Sequence, residues 1–511
     1  MTSRRPLHVS PIRLAELTSD AVRLVGDPQT EVTGAGLDSR TVGAGDLYAA
    51  LPGANVHGAR FAAQAVAAGA RAVLTDPAGL ELMSSSTPTD TDPRAGEVAT
   101  LVADDPRAVL GGISARIYGE PATKVRTVGI TGTNGKTTTT YILDAALRQL
   151  GLTTGVIGTI ETRVGDQRIV STRTTPESCD LQALLAAMVE AGVDAVSMEV
   201  SSHALALHRV DGVVYDVACF TNLSQDHLDF HHTMEEYAAA KAALFTSARA
   251  RRGVVCIDDD WGAAVAQKSE IEVVTVANSE TRGADWVIRA TPGEQAFDLA
   301  AADGSRTFSL VSPLPGDFNR TNTAMAALAL LLLGHTDDEI STAMTASVTV
   351  PGRAERVDLG ADAPIVVVDF AHTPDAVASV LGALRAAASG PLVAVLGAGG
   401  DRDPGKRPAM GAAAAAHADI VVVTDDNPRH EDPAEIRAQV LAGARAQASA
   451  HAVEGREQAI EEALRVAGST GLVAILGKGH ETGQQIGDET HHFDDREATR
   501  RAWSRIEQEA R

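Results

Sequence analysis

The sequence predicts an α/β protein of three domains, on three observations. At 511 residues the chain is too long to bury itself around one core. Short apolar runs that each deliver a polar loop alternate with alanine-rich helical stretches, the pattern of βα units around a largely parallel sheet. The run Val128-Gly129-Ile130-Thr131-Gly132-Thr133-Asn134-Gly135-Lys136-Thr137-Thr138 carries an apolar strand through a glycine-rich turn into Lys-Thr at the start of a helix.

In chain order, residues 1–122 are expected to form the first domain, with apolar runs at 72–74 and 99–102 as strands between helical stretches. The polar, proline-bearing segment 84–93 interrupts it and reads as a mobile surface insertion. Residues 123–350 form the second expected domain, with strands at 126–130, 193–200, 213–220 and 254–257. Residues 351–511 form the third, with strands at 365–370, 392–396, 420–424 and 472–476 that lead into polar loops at 371–375, 399–403, 426–429 and 477–481. Open α/β sheets bind ligands beyond the carboxyl ends of their strands. Chemistry is therefore expected between the second and third sheets, with a hinge near Val350-Pro351-Gly352.

Asp plus Glu number 67 against 44 Lys plus Arg, and the formal charge of -23 argues against nucleic acid and anionic membrane surfaces as partners. A polyanion such as ATP must then be met by local positive charge, with Mg²⁺ as the obvious helper, since screening removes the remote acidic surface beyond about 8 Å. Cys179, Cys219 and Cys256 lie in apolar segments without paired spacing, so buried thiols in a reducing cytosol are expected. No apolar run approaches 18 residues and no signal segment opens the chain, which predicts a cytoplasmic protein without membrane insertion.

The turn after Ile130 reads as a phosphate cradle. Its glycines let backbone N–H groups close on phosphate oxygens, and the helix N-terminus adds partial positive charge. Lys136 meets the terminal phosphates, and the Thr137 hydroxyl can hold Mg²⁺. Ile130 stands where the first glycine of G-x4-G-K-[ST] belongs, so T-G-T-N-G-K-T is a shorter loop. Glu199 ends an apolar strand, where a carboxylate needs a partner. The segment Thr221-Asn222-Leu223-Ser224-Gln225-Asp226-His227-Leu228-Asp229-Phe230-His231-His232 is dense in hard and borderline metal ligands, which makes Glu199 and His227 candidate Mg²⁺ ligands, although imidazole is an unusual choice for that ion. For His227, a loop histidine satisfied by backbone is the alternative. Thr233 to Glu236 reads as a capping box. In the helix it opens, Tyr237, Lys241 and Leu244 share the apolar face, so Lys241 is either buried and neutralised or snorkels to water.

The ordered motifs T-G-T-N-G-K-T, Met198-Glu199-Val200-Ser201-Ser202-His203, Asn222-Leu223-x-x-Asp226-His227-Leu228-Asp229-x-His231 and Tyr237-x-x-x-Lys241-x-x-Leu244-Phe245 resemble those of the Mur ligases, and Gly316 to Asn322 and Gly352-Arg353-Ala354-Glu355 continue the match. The resemblance covers nearly the whole chain. It implies three domains, a central P-loop-type parallel sheet that binds ATP and a C-terminal Rossmann-like domain that binds an amino acid. It further implies that Gly132, Thr133, Asn134, Gly135, Lys136, Thr137 and Thr138 hold ATP phosphates with Arg353, that Asn319 lies near the adenine, and that Lys241 carries a CO₂-derived carbamate. Thr137, Glu199, His227 and that carbamate would be the Mg²⁺ ligands, and Lys136, Glu199, His227 and Lys241 the catalytic set.

Within the family the chain resembles the members that add meso-2,6-diaminopimelate to the D-glutamate of UDP-N-acetylmuramoyl-L-alanyl-D-glutamate through an acyl phosphate, as monomers serving peptidoglycan synthesis. That implies a UDP-dipeptide site at Leu37, Ser39, Asn55, Thr174, Thr175, Ser201 and Arg209. It implies an acceptor site at Arg402, Asp426, Asn427, Pro428, Arg429, Gly477 and Glu481. Arg173 and Leu207 depart from the Asn and Gln that relatives often carry. The Arg of Asp426-Asn427-Pro428-Arg429 is absent from lysine-adding relatives, and a planar guanidinium clamps the extra carboxylate of diaminopimelate in two-pronged fashion. A lysine-adding ligase, a folylpolyglutamate synthetase and a nucleotide-switch protein are the alternatives.

Overall fold

The structure is a computed structural model that describes residues 5–85, 98–171, 173–291, 294–445 and 448–510. Of the insertion expected at 84–93, Ser84 and Ser85 close the helix Pro77–Ser85, and 86–93 lie outside the described residues.

Three sheets follow one another along the chain. The first is five-stranded, ordered Arg23–Val25, Ala99–Val102, Ala72–Thr75, Asp46–Ala49, Gly34–Gly36, and parallel except at the Arg23–Val25 edge. Its core of Leu14, Leu47, Leu74 and Leu101 continues into Cys179 and Ala183 of the helix Ser178–Glu190, which belongs to the next unit in the chain. Burial of this shared apolar cluster holds the first sheet against the second.

The second sheet has eleven strands. The phosphate-loop strand Arg126–Thr131 lies between Ala195–Glu199 and Tyr215–Phe220, parallel to both. The expected 213–220 strand starts two residues late, because Val213 is turned by its N–H bond to Val210 O (3.1 Å). Helices Lys136–Gln149 and Asp317–Leu332 cover one face, and Ser178–Glu190 and Met234–Ala242 the other. Both edges are antiparallel hairpins that the apolar-run criterion passed over, Glu161–Val164 with Gln167–Val170 and Ala296–Ala301 with Thr307–Val311. The outermost strand Thr307–Val311 alternates exposed and buried residues, and so carries no continuous apolar run.

The third sheet places Leu472–Leu476, late in the chain, in its middle, between Ile365–Asp369 and Leu392–Leu396, with Ile420–Val423 and Ser449–Ala452 beyond. That order brings the loops after four parallel strands to one edge. Arg456 and Asp495 form a two-pronged pair at 2.7 and 2.8 Å behind them, both side chains 0% exposed. Gly352, at the expected hinge, has φ +63, and a Cβ there would strike the backbone of Gly479 and His480. The carboxyl edges of the second and third sheets face each other: Arg353 donates to Thr137 Oγ1 (3.1 Å), and Lys406 lies 3.3 Å from Asp226. All three cysteines are buried and free. Among the described residues no helix is long and apolar enough to cross a membrane.

Candidate active site

The strand Arg126–Thr131 ends in a loop stitched to the next strand's exit. Thr133 N–H donates to Asn222 O (2.9 Å), Asn134 N–H to Asn222 Oδ1 (2.9 Å) and Thr221 Oγ1 to Asn134 O (2.6 Å). Gly132 (φ +146) passes so close to Thr221 that a side chain would collide. A Cβ on Gly135 (φ +86) would sit 2.5 Å from Asn322 Oδ1. Gly135 caps the helix without a side-chain bond, leaving N–H groups of its first turn for a ligand. Lys136 folds over the loop, donating to Gly132 O and Thr133 O at 2.9 Å each. Burial and the charge of Arg353 push its ammonium below the ordinary value, against the pull of Glu199.

Beside this loop is a cavity of about 480 Å³ lined by Asn134, Thr138, Asn278, Phe318, Asn319 and Arg353. Asn319 accepts from Asn322 Nδ2 (3.0 Å) and donates to Pro315 O (2.6 Å). Arg353 stacks on Phe370 (4.6 Å), and its Nε is a buried donor without a hydrogen-bond acceptor among the described residues. A phosphate oxygen would satisfy that donor.

Glu199 is 1% exposed and accepts from Thr159 N (2.8 Å), Thr159 Oγ1 (3.1 Å) and Thr137 Oγ1 (3.0 Å). Among the described residues it has no ion-pair partner, and a buried carboxylate with only neutral donors suits a hard divalent cation. No three His, Cys, Asp or Glu side chains among the described residues are grouped to hold a metal by themselves. Lys241 is 1% exposed, donates to Gly132 O (2.7 Å) and lies 4.6 Å over the Tyr237 ring, so it does not snorkel. Burial and the charge of Lys136 push it well below its ordinary value. Thr233 caps this helix through Glu236 N–H (3.1 Å), and among the described residues the reciprocal bond of a full capping box is absent. His227 sits at φ +56 and burial drives its imidazole to about 3, while Asp226, 3.5 Å away, also meets His372 (3.6 Å) and Lys406.

The third sheet brings its loops together around Asp426. Asn427 Nδ2 donates to Glu481 Oε2 (3.0 Å), and Gly477 (φ +112) lies where a Cβ would be 2.5 Å from Asp426 Oδ2. Arg429, at φ +51, is tied by its N–H to Gln485 O (3.1 Å) and by its guanidinium to Gly400 O (2.6 Å). Pro428 is buried and Arg402 is exposed at the rim.

The Mur ligase family catalytic domain profile matches residues 31–118, the Mur ligase middle domain 130–330, and the Mur ligase glutamate ligase domain 352–479. The UDP-N-acetylmuramoyl-L-alanyl-D-glutamate--2,6-diaminopimelate ligase of Streptomyces coelicolor is 48% identical over 507 residues, covering 98% of this chain and 97% of its own. The chain belongs to the Mur ligase family. The enzyme of the same name from Corynebacterium efficiens is 44% identical over 98% of both chains. A solved structure of a ligase of that name aligns over 98% of this Mur ligase and 100% of that chain, at 30% identity and a TM-score of 0.65.

In this Mur ligase, Leu37 and Ser39 line a cavity of about 930 Å³ that also meets Tyr48, Phe61, Arg173 and Glu177. Asn55 is exposed next to Val56 of that lining. Thr175 Oγ1 donates to Glu199 O (2.8 Å) and accepts from Ser201 N (3.1 Å), and Thr174 Oγ1 meets Thr159 Oγ1 (2.9 Å). The UDP-dipeptide and metal candidates thus touch through Thr159. Arg209 Nε lies 3.0 Å from Glu177, which also meets Arg107 (3.2 Å) and Arg173 (2.6 Å). Sequence reasoning passed over Thr159, Thr221, Asn322, Lys406 and Lys478. Thr221, Asn322 and Lys478 lie inside segments already singled out, so their positions were signalled; Thr159 and Lys406 carried no local signal.

Proposed function

We propose that this Mur ligase joins meso-2,6-diaminopimelate to the D-glutamate of UDP-N-acetylmuramoyl-L-alanyl-D-glutamate, converting ATP to ADP and phosphate, as a cytoplasmic monomer of peptidoglycan synthesis. Its domains are 1–122 for the UDP-dipeptide, 123–350 for ATP and 351–511 for the acceptor. The observation that carries the reading is Arg429, held by Gly400 O on one edge of its guanidinium within Asp-Asn-Pro-Arg. The names of the relatives at 44–48% identity agree with it.

In this mechanism Lys136 leaves Gly132 O and Thr133 O for the terminal phosphates, joined by the uncapped helix N-terminus and by Arg353 Nε. Asn319 contacts the base end of the nucleotide. Thr137, Glu199, His227 and a carbamate on Lys241 would hold Mg²⁺, which would supply neutralisation of the charge on the transferring phosphoryl group and the attacking carboxylate. A depressed Lys241 amine with one acceptor among the described residues suits carbamylation, because only the neutral amine attacks CO₂. Thr174, Thr175, Ser201 and Arg209 orient the dipeptide so that its glutamate carboxylate attacks the γ-phosphorus. Its oxygen displaces ADP and leaves an acyl phosphate. Arg402, Asn427, Arg429 and Glu481 present the acceptor amine to that carbonyl, and phosphate departs as the amide forms. The facing sheet edges, joined through Asp226 and Lys406, keep water from the acyl phosphate. The test is phosphate release with ATP, the UDP-dipeptide and meso-diaminopimelate, L-lysine or D-glutamate. Equal rates with lysine and diaminopimelate would reject the assignment.

A further inference from the structure

Lys478 lies in the Gly477-Lys478-Gly479-His480-Glu481 loop between two residues of the acceptor site, yet its side chain is 0% exposed. Its ammonium is met by three oxygens: Gly483 O at 2.6 Å, Asn427 Oδ1 at 3.2 Å and Glu481 Oε2 at 3.3 Å. An ammonium has three donors, so none is left for a ligand. Two consequences follow for its neighbours. Asn427 Oδ1, facing Lys478 and Gln485 N–H (2.9 Å), must be the amide oxygen, which turns Nδ2 toward Glu481. Glu481 Oε2 takes both Lys478 and Asn427, while the side chain stays 35% exposed and Oε1 makes no hydrogen bond among the described residues. The same connections reach Arg429, whose N–H binds the carbonyl of Gln485, the residue whose own N–H binds Asn427.

Resting on the acceptor reading above, we infer that Lys478 is the positioning residue that sets a carboxylate and a guanidinium at a fixed separation to grip the amino and carboxylate groups of a zwitterionic amino-acid end. Glu481 Oε1 receives the ammonium and Arg429 the carboxylate. Lys478 touches neither, but its ammonium, 3.3 Å from Glu481 Oε2, aims that carboxylate, and through Asn427 and Gln485 it fixes the backbone that carries Arg429. The rival role is purely structural, a pin for the strand Gly483–Ile486 through Gly483 O.

The test begins with wild-type acceptor preference, which judges the acceptor reading by itself. Lys478→Met, similar in length and uncharged, is then compared in steady-state kinetics with the acceptor that the wild type prefers. Removing a partner that orients a ligand-binding group costs roughly 10–100-fold in related settings. The acceptor KM should rise by about that factor, while the KM values for ATP and the UDP-dipeptide stay within twofold. In a Glu481→Gln background the same change should add much less, because the group that Lys478 aims has lost its charge. Uniform loss across all three substrates, an unchanged acceptor KM, or full additivity with Glu481→Gln would overturn the inference. If Lys478→Met does not fold, Lys478→Arg is measured for acceptor KM and for acceptor protection against thermal unfolding. Failure of both variants to fold assigns the lysine to structure and also overturns it.

Discussion

Replacing Arg429 by alanine removes a guanidinium that, among the described residues, is tied down at one edge by its bond to Gly400 O. Both residues have a Cβ, so the backbone at φ +51 is strained equally in each and the substitution isolates the side chain. The free edge can give a carboxylate two charge-assisted hydrogen bonds, worth about 1.5–3 kcal/mol each and so about 3–6 kcal/mol together. That corresponds to roughly 10²–10⁴ in kcat/KM for meso-diaminopimelate. Arg429 is half-buried, which favours the lower half of the range. The assay is phosphate release at saturating ATP and UDP-dipeptide with varied acceptor. The loss should sit in the acceptor KM and leave the ATP KM unchanged. L-Lysine, which lacks the carboxylate, should be a very poor wild-type substrate and gain nothing from the substitution, since an emptied pocket does not attract it. An Arg429→Ala enzyme with an unchanged ratio of diaminopimelate to lysine use would refute the reasoning and move specificity to Arg402 or Glu481.

Lys136→Ala should slow ligation by about 10²–10³ at saturating ATP, the usual loss on removing one preorganised charge-stabilising group; single-turnover quench measurements would show it, and a loss below tenfold would count against the role. Lys241→Ala should abolish most ligation without lowering the melting temperature, since among the described residues the buried amine has Gly132 O as its one hydrogen-bond acceptor and its burial costs desolvation; near-normal turnover would remove the carbamate from the mechanism. Gly135→Ala adds a Cβ 2.5 Å from Asn322 Oδ1 at φ +86, about 1–2 kcal/mol of backbone strain alone, and should weaken ADP binding in calorimetry while acceptor KM holds. Asp495→Ala leaves Arg456 buried without its carboxylate and should destabilise the C-terminal sheet by about 3–5 kcal/mol, read as a lower urea midpoint; a shift equivalent to less than 1 kcal/mol would show that Leu476 O and Asp425 O suffice.

Local pattern alone determined the phosphate turn, the central strands of the second sheet around 126–130, 193–200, 213–220 and 254–257, the four strands named for the third sheet, and the apolar-face position of Lys241, whose burial it left open. Each follows from residues within a few positions: Gly132 and Gly135 permit backbone that other residues resist, unbroken apolar runs mark strands covered on both faces, and Tyr237 and Lys241 one turn apart share a helix face. The edge strand Thr307–Val311 escaped because a half-exposed strand has no such run. Tertiary structure alone decided that Leu472–Leu476 inserts between Ile365–Asp369 and Leu392–Leu396, which brings Glu481 to Asn427 across 54 residues of chain. It likewise set Thr159 against Glu199, Lys406 against Asp226 and the ammonium of Lys478 against Asn427. The physical reason is that side-chain periodicity records which face is buried, whereas strand order and hydrogen bonds between distant residues come from the packing of whole elements and leave no period in the sequence.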